Sequence, residues 1–371
     1  MELIRILLFP LAVLYGLVAR IRNAFFNWGI FRQVSFSLPV ISVGNLCAGG
    51  SGKTPMVEYL IRLLNQHYRI ATLSRGYKRK TNGFLMADET STSSQIGDEP
   101  LQYFRKFKNI MVAVDENRRR GIRSLLNMGN PPGVILLDDA FQHRRVKPGL
   151  SILVTDYFKT YVHDQMLPVG RLREPIAGAS RAQIIIVTKS PRIFSPILRR
   201  QITEELKPAP HQQLFFSYVK YLGLEPVYAE LPPFSLKEQR PSTIMMVTGI
   251  ANPSPMEEYL RSACNELVMI PFPDHHRFEP HDLAMIRQRF DELHSRLKII
   301  VTTEKDAMRL RDGQSETILK NLPVYYLSMQ HEFHEEDKRK FDAFILDYLS
   351  GYQKEPGAPE TGSDENPGNT E

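Results

Sequence analysis

Cysteine is almost missing from this chain: Cys47 and Cys264 are the only two in 371 residues. Two thiols build neither a disulfide framework nor a zinc site, and they suit a reducing cytosolic environment. No internal repeat is visible. No nucleic-acid recognition module or aromatic RNA motif occurs, which argues against a nucleic-acid partner. Nor is there an uninterrupted apolar run of the about 20 residues that a full membrane span needs. Leu7 to Ala19 is apolar throughout, but Arg5 and Arg20 bound it and Pro10 lies inside it.

What is present is an apolar fraction of 42%, enough for a real core, in a length with room for two domains or one large α/β domain with additions. The formal charge is +6. From Gly351 onward Glu355, Glu360, Asp364, Glu365 and Glu371 accumulate, and with Lys354 they bring the tail to −4, so the body before it carries +10. That balance suits an anionic partner: a nucleotide, a nucleic acid or an anionic membrane.

The most informative stretch is Val40 to Thr54, with Gly49-Gly50-Ser51-Gly52-Lys53-Thr54 at its end. It reads as a buried strand, a glycine-rich loop and the start of a helix, from about Pro55. That order is the P-loop, in which loop N–H groups cradle phosphates, Lys53 reaches the outer phosphates and the Thr54 hydroxyl ligates Mg²⁺. Glycine lets the backbone approach the phosphates, and the helix end favours an anion. The usual leading glycine is replaced by Cys47, so Gly49 and Gly50 must supply the flexibility. A Gly/Ser turn ending by chance in Lys-Thr is the bland alternative, disfavoured by the strand–loop–helix order.

Downstream, Gly133 to Asp139 is an apolar strand ending in paired carboxylates. This is the Walker B pattern, in which Asp138 or Asp139 holds Mg²⁺ directly or through water. Arg69 to Leu73 reads as a strand leading to the basic turn Ser74-Arg75-Gly76-Tyr77, otherwise a solvated loop. Gly97-Asp98-Glu99-Pro100 could simply cap the helix Glu99 to Phe107, yet Asp98 is a candidate base if the fold brings it to the P-loop. Further strands are expected at 109–114, 151–155, 183–187, 243–247, 267–270, 298–302 and 324–327, with β-like runs near 214–219 and 227–231. Alternation with helical patterns argues a doubly wound parallel α/β sheet of the P-loop NTPase kind, in two lobes. The boundaries read as an N-terminal helix (1–30), a P-loop lobe (31–206), a proline-rich connector (207–240), a second α/β lobe (241–350) and a disordered acidic tail (351–371).

Leu3 to Phe26 admits three readings: a secretory signal, a buried core helix, or a membrane-associated helix. The first lacks a convincing small-residue cleavage site and would export a P-loop away from ATP. The third is favoured, because Arg20, Arg22 and Arg32 suit headgroups and Phe25, Phe26 and Trp28 suit the interface.

In this order these pieces resemble the tetraacyldisaccharide 4′-kinase family, the lipid A 4′-kinases. The resemblance runs from about Leu3 to Leu349. It is carried by Val43-Gly44-Asn45 before the P-loop, Ser-Arg-Gly-Tyr at 74–77, Gly-Asp-Glu-Pro at 97–100 and Asp-Asp-Ala-Phe-Gln-His at 138–143. Leu-Arg-Glu-Pro at 172–175, Gly-Ile-Ala-Asn-Pro at 249–253, Asp-His at 274–275 and Thr-Glu-Lys-Asp at 303–306 complete it. Ala140 departs from the family's glycine, and a P-loop without its leading glycine looks like the family's own variant.

The resemblance implies transfer of the ATP γ-phosphoryl group to the 4′-hydroxyl of a tetraacyldisaccharide 1-phosphate, forming lipid IVA at the cytoplasmic face of the inner membrane. ATP and Mg²⁺ would sit on Gly49 to Thr54 with Asp138 or Asp139. Asp98 would be the base, oriented by His275, and Arg118 would stabilise transition-state charge. Arg75, Tyr77, Glu99, Gln142, His143 and Glu174 would line the cleft. The partners implied are ATP, the lipid-linked disaccharide and a membrane surface met through the N-terminal helix, with no nucleic acid and a monomeric enzyme. Without the resemblance, a membrane-tethered NTPase driving a partner and a non-catalytic anion-binding protein are the rivals.

Overall fold

The computed structural model describes residues 2–250, 252–274, 276–311 and 318–354; the side chains of 2–5, 353 and 354 are outside it. His275, Ala251 and most of the acidic tail therefore lie outside the described residues. At the start of the expected tail, residues 351–354 continue a helix (335–354).

Strands β1 (Val40–Gly44), β2 (Ile70–Ser74), β3 (Leu85–Met86), β4 (Met111–Val114), β5 (Val134–Asp138), β6 (Leu150–Asp156) and β7 (Ile184–Thr188) are followed by β8 (Gln213–Pro226), β9 (Thr243–Thr248), β10 (Glu266–Pro271), β11 (Lys298–Thr303) and β12 (Val324–Phe333). They form one 12-stranded sheet in the order β10-β9-β11-β12-β8-β7-β6-β1-β5-β2-β4-β3. All neighbours are parallel except β8 with β12 and β3 with β4. Strands buried on both faces read as continuous apolar runs, and β1, β2, β5 and β7 are buried at every position.

Side chains alternate between the two faces, as strand geometry requires. On β5, Val134 and Leu136 join the core beneath helix α2 (Lys53–Leu64), while Ile135 and Leu137 join the core shared with Ile122 and Leu125. The same alternation recurs on β9, where Met245 and Val247 face Leu283 and Ile286, and Ile244 and Met246 face Leu260.

The connector differs from the sequence reading. The run near 214 is one strand of 14 residues, paired through residues 213–216 with β7 and through 217–226 with β12. Residues 227–231 add no strand; Val227 and Tyr228 are instead core side chains. The 335–354 helix, expected with the second lobe, packs Phe341, Ile345 and Leu349 into the core beneath α2. It can do so because β12 carries the chain back toward the P-loop side of the sheet.

A buried ion cluster joins elements far apart in sequence. Lys106 donates to Glu58 of α2 at 2.8 Å and to Glu304 at 2.7 Å, while Gln102 donates to the other Glu58 oxygen at 2.8 Å. Burial and the Glu58 charge hold the Glu304 carboxyl above its usual range, against Lys106. Lys106→Met should leave two buried carboxylates facing each other and destabilise the fold by about 3 kcal/mol. Denaturant unfolding should show the loss easing as pH falls and Glu304 takes a proton.

Helix α1 (Glu2–Asn27) continues unbroken through Pro10. Among the described residues Ile6–Asn27 is the one helical stretch long and apolar enough to cross a membrane. The sequence reading also expected a helix over these residues, with only Leu7 to Ala19, between Arg5 and Arg20, as an uninterrupted apolar run. Its narrow inner face carries Ala12, Gly16 and Ala19, with Gly16 against Met166. Its wide outer face exposes Ile6, Leu7, Phe9, Leu14, Leu17 and Val18. The base is tied down: Arg144 donates to the Asn23 carbonyl at 2.9 Å and to Asn27 Oδ1 at 2.7 Å.

Candidate active site

The phosphate loop follows β1, and α2 begins at Lys53, two residues before Pro55. Gly52 caps it with φ +86°, and a Cβ there would stand 2.4 Å from His331 Cε1. Donors hold the loop from behind. Asn45 Nδ2 donates to Ser51 Oγ (2.8 Å), Thr188 Oγ1 to the Ser51 carbonyl (2.8 Å), and Lys189 Nζ to the Gly50 carbonyl and to Asp156 (2.6 Å each). The first N–H groups of a helix have no intrahelical acceptor, so this end of α2 suits an anion. Cys47 bridges to Leu172. Burial, then the Asp164 charge, pushes its thiol up to about 11, so it is a neutral packing residue.

The paired aspartates occupy unlike settings. Asp138 is buried at the end of β5, and its Oδ2 accepts the Tyr103 hydroxyl at 2.9 Å. Its Oδ1 has no hydrogen-bond partner among the described residues. Burial, then the charges of Asp139 and Glu99, pushes it up to about 6. Asp139 takes φ +47° and turns toward Lys53 Nζ at 3.5 Å and Arg173 at 3.0 Å. Burial acts to raise it, but Lys53 and Arg173 together hold it below its usual range.

These groups fit Mg²⁺, which takes one or two carboxylates plus waters and phosphates in place of an all-protein cage. Among the described residues no cluster of three His, Cys, Asp or Glu side chains makes such a cage. A buried, unsatisfied carboxylate oxygen costs stability in the ligand-free protein. Asp138→Asn removes a buried negative charge beside Asp139 and Glu99, and should therefore raise the melting temperature of the ligand-free protein by the equivalent of ~1–3 kcal/mol, as a calorimetric scan would show.

Cations complete this edge. Arg118 is buried at the start of helix α5 (Arg118–Leu126, numbered after short helices 93–96 and 98–106, α3 and α4). Its NH1 donates to the Asp115 carbonyl, while Nε and NH2 have no hydrogen-bond partner among the described residues. Burial pushes it down to about 10, opposed by Asp138 and Asp139. His143 is lowered to about 4 by burial and then by Arg118 and Arg75, so it is neutral at pH 7. Arg75 and Tyr77 are exposed. Gln142 Nε2 donates to the Asn45 carbonyl at 2.6 Å, tying the Walker B turn to the phosphate loop.

Asp98 opens α4 (Asp98–Lys106), whose Tyr103 meets Asp138 and whose Glu99 acts on it electrostatically. The loop before it is pressed onto the Ser-Arg-Gly-Tyr turn: at Gly97, φ +95°, a Cβ would lie 3.1 Å from Gly76 Cα. Asp98 Oδ2 accepts from Arg309 Nε (3.0 Å) and NH2 (2.7 Å). Arg309 NH1 donates to Asp306 Oδ1 at 2.7 Å, and Asp306 Oδ2 accepts from the Gly249 N–H (2.9 Å) and Thr303 Oγ1 (2.7 Å). Lys305 pairs with Glu99 at 3.0 Å. The Gly-Asp-Glu-Pro, Gly-Ile-Ala-Asn-Pro and Thr-Glu-Lys-Asp motifs are thus one hydrogen-bonded unit. His276, next to the undescribed His275, bonds Asp282 at 2.8 Å and stacks on Phe272.

In Leu-Arg-Glu-Pro the sequence reading chose the wrong neighbour for the cleft. Successive residues of an extended segment point to opposite sides. Arg173 reaches Asp139, whereas Glu174 is fully buried against Arg181 (2.9 Å) and Asn23 of α1 (3.1 Å). Tyr103, Arg173 and Arg309 were also missed. Arg173 lay inside a motif already singled out, but nothing local marks Tyr103 or Arg309, whose partners are distant in sequence.

The sequence model of the family described as Tetraacyldisaccharide-1-P 4′-kinase matches residues 4–350. A Tetraacyldisaccharide 4′-kinase of Parabacteroides distasonis is 47% identical over 347 residues, covering 92% of this chain and 94% of that protein. One of Flavobacterium johnsoniae is 46% identical over 349 residues, covering 94% and 98%. A crystal structure of LpxK from Aquifex aeolicus in complex with ATP superposes with a TM-score of 0.70 at 27% identity, covering 93% of this chain and 99% of that one. This chain belongs to the tetraacyldisaccharide 4′-kinase family.

Proposed function

We propose that this chain transfers the γ-phosphoryl group of ATP to the 4′-hydroxyl of tetraacyldisaccharide 1-phosphate, giving lipid IVA. The observation that carries the reading is one sheet edge holding Lys53 and Asp139, the half-satisfied Asp138, and a helix that begins at Asp98 and bonds Asp138 through its Tyr103. Phosphoryl transfer needs positioning and charge neutralisation more than covalent chemistry. Gly49 to Thr54 cradle the phosphates, and Lys53 exchanges Asp139 for the outer phosphates. Thr54 and Asp138 would hold Mg²⁺, with Asp139 in reserve through water; bound there, the ion neutralises charge on the phosphates. Arg118, with two guanidinium nitrogens unsatisfied beside the aspartates, is placed to meet charge on the transferring group. Asp98, oriented by Arg309, takes the proton of the attacking hydroxyl. Arg75, Tyr77, His143 and Glu99 would line the acceptor side.

The acceptor's acyl chains cannot leave a bilayer cheaply, at about 0.8 kcal/mol per CH₂. The exposed apolar face of α1 brings the enzyme to them. The proposed site of action is the cytoplasmic face of the inner membrane, where ATP and the acceptor meet, with the enzyme acting as a monomer. Purified protein with radiolabelled ATP and the lipid disaccharide monophosphate should put label into lipid. Release of inorganic phosphate at full rate without lipid would favour an NTPase and overturn the kinase.

A further inference from the structure

Among the described residues, large apolar side chains are exposed on α1 and just after it, singly at Tyr77, Ile176 and Leu222, and as a group beyond the ends of β6 and β7. Phe158, just after β6, is 71% exposed; Ile193, in the loop after β7, and Ile197, in the helix that follows (Pro196–Leu206), are 92% and 78% exposed. These strands are parallel neighbours that end together, with Asp156 opposite Thr188. The Tyr157 N–H donates to the Thr188 carbonyl at 2.9 Å. The Tyr157 ring sits 5.2 Å from that of Phe158 and 5.9 Å from that of Phe194, which packs in turn on Phe216 and His334. The exposed tips thus stand on a packed aromatic base. Exposed Lys159 and Arg192 are interleaved with them, as is Arg200, which pairs with Glu204 at 2.7 Å and must exchange that partner for a headgroup.

Isolated exposed apolar residues are ordinary, but an apolar cluster rimmed by cations on adjoining turns marks an interaction surface. Its position narrows the partner. Lys159 and Tyr161 line the same groove as the phosphate loop from Asn45 to Ser51. The segment that begins at Phe158 runs on to Met166 and Arg173, against which Gly16 and Tyr15 of α1 rest. Helix and patch are therefore borne by one stretch of chain, at the end of the sheet where phosphate is handled.

We infer that Phe158, Ile193 and Ile197, with Lys159, Arg192 and Arg200, form a second membrane contact that seats on an anionic phospholipid surface and acts with α1 to hold the phosphate-loop mouth toward the bilayer. This rests on the membrane reading of α1. A body tethered by one helix can swing about it; a second contact, apolar tips in the interface and cations on headgroups, fixes its orientation.

Tryptophan fluorescence with vesicles containing brominated phosphatidylglycerol separates the two contacts. Trp28, the single native tryptophan, reports α1; in full-length W28F/I193W the only tryptophan reports the patch. Quenching and a blue shift are expected in both. Quenching of Trp28 without quenching at position 193 overturns the second contact alone; no quenching of either overturns the membrane reading and this inference with it. Full-length F158S/I193S/I197S should lose about tenfold in kcat/KM on acceptor embedded in those vesicles, with unchanged kcat/KM on a short-acyl, water-soluble acceptor. Equal loss on both acceptors, or none on either, overturns the proposal. So would a wild-type dimer in sedimentation that the serine variant abolishes without changing turnover on vesicles.

Discussion

Lys53→Ala is expected to lower phosphoryl transfer by about 10²–10³-fold or more, the scale of losing a preorganised charge at a transition state. Lys53 is the first residue of α2 and its ammonium stands 3.5 Å from Asp139. Without it the outer phosphates lose their cation and Asp139 keeps only Arg173, so its carboxyl should rise from its lowered position. The fold should survive, because the loop is held by Asn45, Thr188 and Lys189 and not by Lys53. Turnover and thermal unfolding measured together give the test: wild-type turnover in a folded variant would mean that this loop is not the cradle.

Asp98→Ala and Asp98→Asn are expected to lower kcat by about 10²–10⁴-fold, the usual contribution of a positioned general base. ATP affinity should stay close to wild type, because the proposed phosphate cradle, Gly49 to Thr54, lies outside α4. The stability cost should be small, since Arg309 keeps Asp306 when Asp98 is lost. Arg309→Met is the companion variant. It removes the donor that orients Asp98 and leaves Asp306 buried without its cation, so it should lower both kcat and stability, with Arg309→Lys recovering part of each. Wild-type kcat in Asp98→Asn would remove this carboxylate from the reaction.

Much of the site was legible because its residues sit where one local rule places them. A strand, a glycine loop and a helix must follow one another to make a phosphate cradle, so Gly49 to Thr54 announce themselves. Asp138 and Asp139 end an apolar run, and an apolar run buried on both faces of a parallel sheet has few other readings. The parallel order was legible for the same reason, through strands alternating with helices. Edges of elements moved by a residue or two, as at α2 and α4, because helix starts depend on backbone capping geometry at Gly52 and Gly97.

Sequence alone determined the doubly wound architecture, the phosphate loop, the aspartate pair and the family, since each depends on neighbours within one supersecondary unit or on a series of short motifs. Tertiary structure decided what those groups experience. It left one oxygen of Asp138 unpaired and placed Arg309 on Asp98 across 211 positions of chain. It also turned Arg173 to the site and Glu174 to α1, and carried the last helix back beneath α2. The reason is physical: burial, ion pairing and orphaned polar atoms are properties of contacts between distant segments, and such contacts exist only once the sheet has brought those segments together.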